Sequence, residues 1–269
     1  MGLKTVCIEK RGALGGTCLN VGCIPSKALL NSTAKLHEAQ HLYKEIGIEV
    51  DNVRMNFPKL MASKDKAVTG LTSGIEFLFK KNKVDYVKGW GKFDSKDQIS
   101  VDLLDGKTTQ IKAKHTIIAT GSEPSSLPAG LLDIDEKFVV SSTGALALKE
   151  VPKKMIVVGG GVIGLEMGSV YNRLGSEVTV LQHSDMICPF LDKEVALAFQ
   201  KILKKQGLKF ELNTRFVSGT NNKEKGVNCI VEGPKGKKEL DADVVLLSIG
   251  RKPFTGGLGS YKLYVLVAY

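Results

Sequence analysis

One stretch of this sequence leaves little freedom in how the chain around it folds: Met155-Ile156-Val157-Val158-Gly159-Gly160-Gly161-Val162-Ile163-Gly164-Leu165-Glu166. Its opening apolar run has no polar alternation, the pattern of a parallel strand buried on both faces. Gly159, Gly161 and Gly164 follow in G-x-G-x-x-G spacing. The pattern predicts a helix from there through Leu174 and a second strand over 178–181. In such a unit the first glycine permits a tight turn, the second lets a pyrophosphate approach the backbone, and the third allows close helix–strand packing. The helix N-terminus adds unpaired N–H groups and the positive end of a dipole. A βαβ unit that holds a dinucleotide is the expectation.

The residue that ends the second strand normally contacts the adenine ribose. An acid there accepts from the ribose hydroxyls, whereas a nearby Arg accommodates a 2′-phosphate. Here the position is Gln182, followed by His183, and no Arg occurs in the next ten residues. Gln182 can still bond a ribose, so NAD is expected in preference to NADP.

The unit has a partner in the same chain. Gly2-Leu3-Lys4-Thr5-Val6-Cys7-Ile8-Glu9 aligns with Gly175-Ser176-Glu177-Val178-Thr179-Val180-Leu181-Gln182. Likewise Ile117-Ile118-Ala119-Thr120-Gly121-Ser122-Glu123-Pro124 aligns with Leu246-Leu247-Ser248-Ile249-Gly250-Arg251-Lys252-Pro253, each read as an apolar strand ending in Gly-x-x-Pro. The expected class is α/β, with tandem Rossmann-like dinucleotide-binding domains built on parallel sheets. Gly159 precedes Gln182 by 23 residues, and the same offset from Glu9 falls before Met1. The first domain is therefore expected to be incomplete, lacking its first strand and Gly-rich turn.

Composition narrows the function classes. At 269 residues, 43% hydrophobic and 25% charged, the chain has ordinary globular composition and length for about two domains. No apolar run reaches the roughly 18 residues of a membrane-spanning helix; the longest candidate, 263–269, is far shorter. The net charge of +10 comes from Lys scattered singly or in pairs, with only five Arg and 6% aromatics. A nucleic-acid face would cluster Arg with aromatics, so the Lys is read as solubilising surface.

Five cysteines are an odd number for a disulfide scaffold. Cys7 and Cys229 sit in apolar, strand-like contexts and are expected to be buried thiols; Cys188 stands alone. Cys18 and Cys23 differ, lying in Gly15-Gly16-Thr17-Cys18-Leu19-Asn20-Val21-Gly22-Cys23-Ile24-Pro25-Ser26-Lys27 at the start of a helical stretch, Ala28 to Tyr43. No further short-spaced ligands follow, which argues against a metal site. In a regular helix residues five apart are separated by about 7.5 Å of rise alone, beyond the roughly 4.4–6.8 Å between Cα atoms of a disulfide. A bond between them needs an irregular turn, for which Gly22 and Pro25 are suited. Thiols near a helix start gain from its N–H groups and dipole, which favours the thiolate.

Elsewhere, 61–82 reads as a helix, 84–93 and 98–104 as strands joined to a third by Asp105-Gly106, and 194–206 as a helix ending at Gly207. His37 and His41 share a helix face without a third ligand, and no His stands in a recognisable acid–base setting.

The segment Gly15 to Lys27 resembles the redox-active site of the flavin-dependent pyridine nucleotide-disulfide oxidoreductases. Val139-Val140-Ser141-Ser142-Thr143-Gly144-Ala145-Leu146 and residues 248–255 are similar to the branch that oxidises dihydrolipoamide. The resemblance implies a redox pair Cys18 and Cys23 and two cofactors, FAD and NAD. For FAD it implies Glu9 on the adenine ribose, Gly16 and Thr17 near the pyrophosphate, Lys27 by the flavin, and Gly91 with Thr120, Gly121 and Ser122 lining the site. For NAD it implies Gly159, Gly161, Gly164, Glu166, Gln182, Phe216 and Gly250, with Glu166 pairing to Lys27. The division implied is an FAD domain over 1–150, an NAD domain over 151–255, and an atypical tail over 256–269 where the family continues to an interface domain. Partners implied are dihydrolipoamide on a lipoyl-bearing protein, a 2-oxo acid dehydrogenase complex or the glycine cleavage system, and a second copy in a homodimer. A mitochondrial matrix location follows by the same resemblance, with no transit peptide visible in this chain.

Two other readings stand beside this one: an NADPH-using reductase resembling glutathione or mercuric reductases, and a non-catalytic product that keeps an NAD-binding module. Weak FAD retention and negligible turnover are expected of residues 1–269 alone, with the NAD-type domain still folded.

Overall fold

The computed structural model describes residues 2–259. Along the chain run β1 (Thr5–Glu9), α1 (Gly16–Val21), α2 (Cys23–His41), α3 (Phe57–Lys81), β2 (Val84–Phe93), β3 (Gln98–Leu103) and β4 (Thr108–Lys112). There follow β5 (Ser122–Pro124), β6 (Val139–Val140), α4 (Ser142–Ala145), β7 (Lys154–Val158), α5 (Val162–Arg173), β8 (Glu177–Leu181) and α6 (Lys193–Lys205). The remaining strands are β9 (Lys209–Glu211), β10 (Arg215–Asn221), β11 (Val227–Gly233), β12 (Gly236–Ala242), β13 (Val244–Leu247) and β14 (Arg251–Pro253).

The chain divides into two compact units, each assembled from separate stretches. Of the described residues, one comprises those up to Asn20, Lys66–Glu123 and those from Lys252 on; the other comprises Val21–Asp65 and Pro124–Arg251. By contacts, α2, the first turns of α3 and residues 124–150 group with the second unit.

The second unit contains the five-stranded sheet β6-β13-β7-β8-β9, in which every pairing is parallel. Val244–Leu247 is buried at all four positions, as is 155–158 of β7. These unalternating apolar runs suit strands covered on both faces. Val157, Val180 and Leu246 form one core with Leu165, Met167, Val170 and Tyr171 of α5 and Leu29 of α2. On the other face Ile156, Val158, Val245 and Leu247 join Val227, Cys229 and Val231 of the antiparallel sheet β10-β11-β12. The caps are legible locally: Asp192 accepts from the Glu194 and Val195 amides to begin α6, and Gly207, at φ +106°, ends it.

The first unit has a four-stranded sheet, β1-β2-β3-β4. β1 pairs parallel with 84–88, after which β2 continues into an antiparallel meander with β3 and β4. The second unit repeats this order: β8 pairs parallel with β9, and the chain then enters the meander β10-β11-β12. Phe93, Ile99 and Val101 form a small core under the first meander.

Two sequence expectations fail here. The apolar strand expected over 117–121 does not form, and only Ser122–Pro124 is extended. Its counterpart β13 is hydrogen-bonded on both sides, by β6 and β7; among the described residues of the first unit, no strand flanks 117–121 in that way. Cys7, expected to be buried, is only half-buried in β1, whereas Cys229 is fully buried. Of the tail over 256–269, residues 260–269 lie outside the described residues. Leu258, just before them, is buried and accepts a hydrogen bond from the Phe93 amide.

Candidate functional site

The turn after β7 is built by exclusion of side chains. Gly159 has φ +107°, and a Cβ there would meet Ser248 O at 2.5 Å. A Cβ on Gly164 would stand 2.2 Å from Gly159 O and 2.5 Å from Ser248 Oγ, so the first turn of α5 lies directly on the strand. A Cβ on Gly161 would meet nothing within 4 Å. The middle glycine thus borders open space at the N-terminus of a twelve-residue helix. That combination of an open backbone approach and unpaired helix N–H groups suits a pyrophosphate. Ser248 Oγ lies 3.1 Å from Val158 O and 3.0 Å from Gly159 O, which ties β13 to the turn.

Gln182 directly follows β8 and reaches back to this turn. Its Oε1 accepts from Gly160 N at 2.8 Å, and its Nε2 donates to Ser184 Oγ at 2.6 Å. Ser184 Oγ in turn donates to Met186 O at 3.0 Å. On the other side, Gly160 O accepts from Cys188 N at 2.9 Å. Gly160 is the unspecified residue of the motif, yet it is held at both ends. Neither Ser184 nor Cys188 was singled out from the sequence for this purpose, because loop hydrogen bonds have no spacing signature.

Glu166 lies on α5, two residues past Gly164. Lys27 Nζ of α2 approaches Glu166 Oε1 at 2.6 Å, with the Lys side chain 60% exposed and the Glu 21%. Phe216, half-buried on β10, packs against the core formed by β7, β11 and β13. Gly250, at φ +123°, follows β13. The second unit therefore brings Gly159, Gly161, Gly164 and Gln182 together at one turn.

In the first unit Glu9 ends β1, and its Oε1 accepts from the Arg11 amide at 2.7 Å. Gly16 has φ +61° and open space where a Cβ would stand, and a Cβ on Gly121, at φ +73°, would come 3.9 Å from Thr17 Oγ1. Thr120 Oγ1 donates to Phe254 O at 2.5 Å. Gly91 packs against Ile8, whose Cδ1 a Cβ would meet at 3.3 Å. Lys10 lies over both Trp90 and Phe254, at 4.3 and 3.9 Å from the ring centroids. Sequence reading gave no hint of this stack, since its members are far apart along the chain. Gly16, with open space where a Cβ would stand, leaves its backbone accessible beside Thr17 and Gly121, which is compatible with a dinucleotide such as FAD.

Cys18 and Cys23 are disulfide-bonded, while Cys7, Cys188 and Cys229 are free. The irregularity the bond needs is supplied by Gly22, which interrupts the helix between α1 and α2 with φ −142° and ψ −115°. Pro25 sits in the first turn of α2, where its missing N–H costs no hydrogen bond. Cys23 is the first residue of that helix. The three free thiols are in a different electrostatic state. Burial pushes all three up, Cys229 to about 12, and nearby carboxylates add to the effect at Cys7 and Cys229.

His37 and His41 stack at 4.6 Å between ring centroids. Burial, then the neighbouring His41 and Arg173, hold His37 below the usual histidine range. Among the described residues no group of three or more His, Cys, Asp or Glu could hold a metal ion. A cleft of about 500 Å³ beside these histidines is lined by Arg54, Arg173 and Phe57 among others, and by none of the glycine-turn or cysteine residues.

The family described as pyridine nucleotide-disulphide oxidoreductase matches residues 1–266. The mitochondrial dihydrolipoyl dehydrogenase of Pisum sativum is 57% identical over 267 residues, covering 98% of this chain and 53% of that protein. A leghemoglobin reductase of Vigna unguiculata is also 57% identical, over 98% of this chain and 50% of that protein. The mitochondrial dihydrolipoyl dehydrogenase of Schizosaccharomyces pombe is 52% identical, over 98% and 52%. Among solved structures, LpdA from Mycobacterium tuberculosis superposes with a TM-score of 0.87 at 25% identity, covering 99% of this chain and 57% of that one. The chain spans about half the length of the curated relatives it matches.

Proposed function

The chain belongs to the pyridine nucleotide-disulphide oxidoreductase family, and from that premise we propose that it serves the oxidation of dihydrolipoamide, with Cys18 and Cys23 as the sulfur centre. The observation that carries this reading is the Cys18–Cys23 disulfide at the entrance to α2, in a chain whose other thiols are free and pushed toward the protonated form. One pair is thus set apart for exchange.

In the proposed reaction a substrate thiolate attacks Cys18 Sγ. A substrate–Cys18 bond forms, the Cys18–Cys23 bond breaks, and Cys23 leaves as thiolate. The second substrate thiol, deprotonated, attacks its own partner sulfur in the mixed disulfide. The product disulfide forms and Cys18 leaves as thiolate, so the chain has gained two electrons. Cys23 is stabilised as the leaving group by its place at the start of α2. FAD, when bound, accepts an electron pair from the thiols and supplies a hydride to a nicotinamide.

We assign FAD to 1–150, through Glu9, Gly16, Thr17, Lys27, Gly91, Thr120, Gly121 and Ser122. NAD goes to 151–255, through Gly159, Gly161, Gly164, Glu166, Gln182, Phe216 and Gly250. The relatives named mitochondrial support that location for this chain. Partners on this reading are a lipoyl-bearing protein of a 2-oxo acid dehydrogenase complex or the glycine cleavage system, and a second copy of the whole protein.

The test is chemical and needs no flavin. Dihydrolipoamide should reduce one disulfide per chain, and mass spectrometry after alkylation should find the new labels on Cys18 and Cys23. Cys23→Ser, which leaves Cys18 without a disulfide to break, should abolish reduction by dihydrolipoamide, whereas oxidised lipoamide, itself a disulfide, should join Cys18 as a mixed disulfide and release one lipoamide thiolate. Labels confined to Cys7, Cys188 or Cys229 would reject the proposal.

A further inference from the structure

The ribose position at the end of β8 is neutral, and its side chain is already engaged. Gly160 N–H can only donate, so the oxygen of the Gln182 amide must face it; that fixes which end of the amide is which. The nitrogen is then turned to Ser184 Oγ, whose own hydrogen is committed to Met186 O. An amide nitrogen carries two hydrogens. One is used on Ser184, and the second is left over, together with one lone pair on Oε1. A carboxylate at this place would offer acceptors only, together with a full negative charge.

That difference decides which ribose is tolerated. A 2′-hydroxyl can donate to the spare lone pair or accept from the spare N–H. A 2′-phosphate is an acceptor with up to two negative charges, which a carboxylate repels and an amide N–H can bond. The neighbouring carboxylates do not restore the charge at Gln182. Glu211, whose backbone carbonyl accepts from the Gln182 backbone amide, has its Oε1 paired with Lys238 Nζ at 2.5 Å, and Asp185 lies exposed three residues on. His183, also exposed, follows Gln182 directly.

We propose that Gln182 makes this site a dual one, which binds NADP(H) nearly as well as NAD(H), and that it does so while holding the Gly160 amide of the phosphate turn. The proposal rests on reading the Gly159–Gly164 turn as a dinucleotide site. It refines the preference for NAD expected from the sequence: the absence of a nearby Arg withholds a strong NADP contact, and the absence of an acid removes the penalty.

Gln182→Glu separates the two roles of the residue, because a carboxylate oxygen can still accept from Gly160 N–H and from a rotated Ser184 hydroxyl. Titration calorimetry of the full chain with NADH and with NADPH, at about 0.1 M ionic strength, reads both affinities without any turnover. The dissociation constants of the unmodified chain should lie within tenfold of each other. In Gln182→Glu the NADPH constant should rise at least tenfold while that for NADH changes less than threefold. Gln182→Ala, which frees the Gly160 amide, should weaken both by a similar factor. An NADH preference beyond tenfold in the unmodified chain, or a ratio that Gln182→Glu shifts by less than tenfold, would overturn the proposal while leaving the dinucleotide site intact. If NADH itself does not bind, the reading of the turn falls, and this inference with it.

Discussion

Residues 117–121 and 246–250 have matching patterns and opposite fates. Each begins with two large aliphatics and reaches a glycine at positive φ, Gly121 at +73° and Gly250 at +123°. Yet Leu246 and Leu247 are 0% and 1% exposed in β13, while Ile117 and Ile118 are 90% and 42% exposed outside any strand. The glycine turn survives in both because it depends on a few local torsions. The strand survives only where two neighbours pair with it, as β6 and β7 pair with β13. A buried parallel strand is a property of a sheet, and its sequence pattern is a condition for joining one.

The largest expected effect follows from that contrast. Leu246→Ala should destabilise the second unit by about 3 kcal/mol, the usual cost of emptying a buried aliphatic site. Ile117→Ala should change stability by less than about 0.5 kcal/mol, as at other exposed positions. Urea unfolding of both variants measures the difference. Equal losses would mean that 117–121 is packed as a strand, and would break the comparison.

The glycine turn sharpens it. Gly164→Ala forces a methyl group against Gly159 O and Ser248 Oγ, an overpacking worth about 2 kcal/mol. Gly161→Ala places the same methyl in open space at a φ of −82°, so stability should stay within about 0.5 kcal/mol. It should nevertheless weaken NADH binding at least tenfold, since that space is where a pyrophosphate would approach. Thermal unfolding paired with titration separates the two outcomes. A Gly161→Ala chain that binds NADH normally would remove the turn from the site.

What was legible in the sequence followed from how far each feature reaches. The run 155–158, the three motif glycines and the helix that follows are close in sequence, so their geometry is nearly determined by local torsions and burial. The alignment of Glu9 with Gln182 was readable because both stand at the end of an apolar strand, Glu9 as the last residue of β1 and Gln182 as the residue after β8. The bond from Gln182 to Gly160, the stack of Lys10 on Trp90 and Phe254, and the membership of α2 in the second unit were not readable. Each depends on which side chains meet across loops, and nothing in periodicity or spacing records that. The failed strand at 117–121 is the same lesson from the other side, because its pattern was right and its partners were missing among the described residues.

The two repeats also differ in how they hold a strand cysteine, which predicts a smaller effect at alkaline pH. Cys229 of β11 is fully buried and pushed up to about 12, first by burial and then by Asp241. Cys7 of β1 is half-buried and also raised. A thiol raised in the folded state contributes stability that is whole below the unfolded value, roughly 8.5, and is lost as pH climbs toward the folded one. Between about pH 9 and 10 the second unit should therefore lose on the order of 1 kcal/mol through Cys229. Cys229→Ala should flatten that slope, and Cys7→Ala should flatten it less. Tyr171, buried with its hydroxyl donating to Ala145 O and likewise raised, adds loss at the alkaline end in all variants. Equal slopes in the two cysteine variants would show that burial does not distinguish the repeats at these sites.

The smallest expected effect concerns two of the ion pairs that link separate elements, Lys27–Glu166 in the second unit and Lys92–Asp102 in the first, at 2.6 and 3.2 Å. Both lysines are substantially exposed, at 60% and 44%, so the attraction is screened and offset by the entropy of fixing two long side chains. Double-mutant cycles with Lys27→Met and Glu166→Gln, and with Lys92→Met and Asp102→Asn, should each give a coupling below about 0.5 kcal/mol. Chemistry should then separate what stability does not. Lys27 lies one helical turn beyond Cys23 on α2, and an ammonium near a thiol favours the reactive thiolate. After reduction, alkylation of Cys23 should slow on the order of threefold in Lys27→Met, while Lys92→Met should leave it unchanged. A strong stability coupling with no change in thiol rate would make Lys27–Glu166 a structural clasp and remove Lys27 from the proposed sulfur centre.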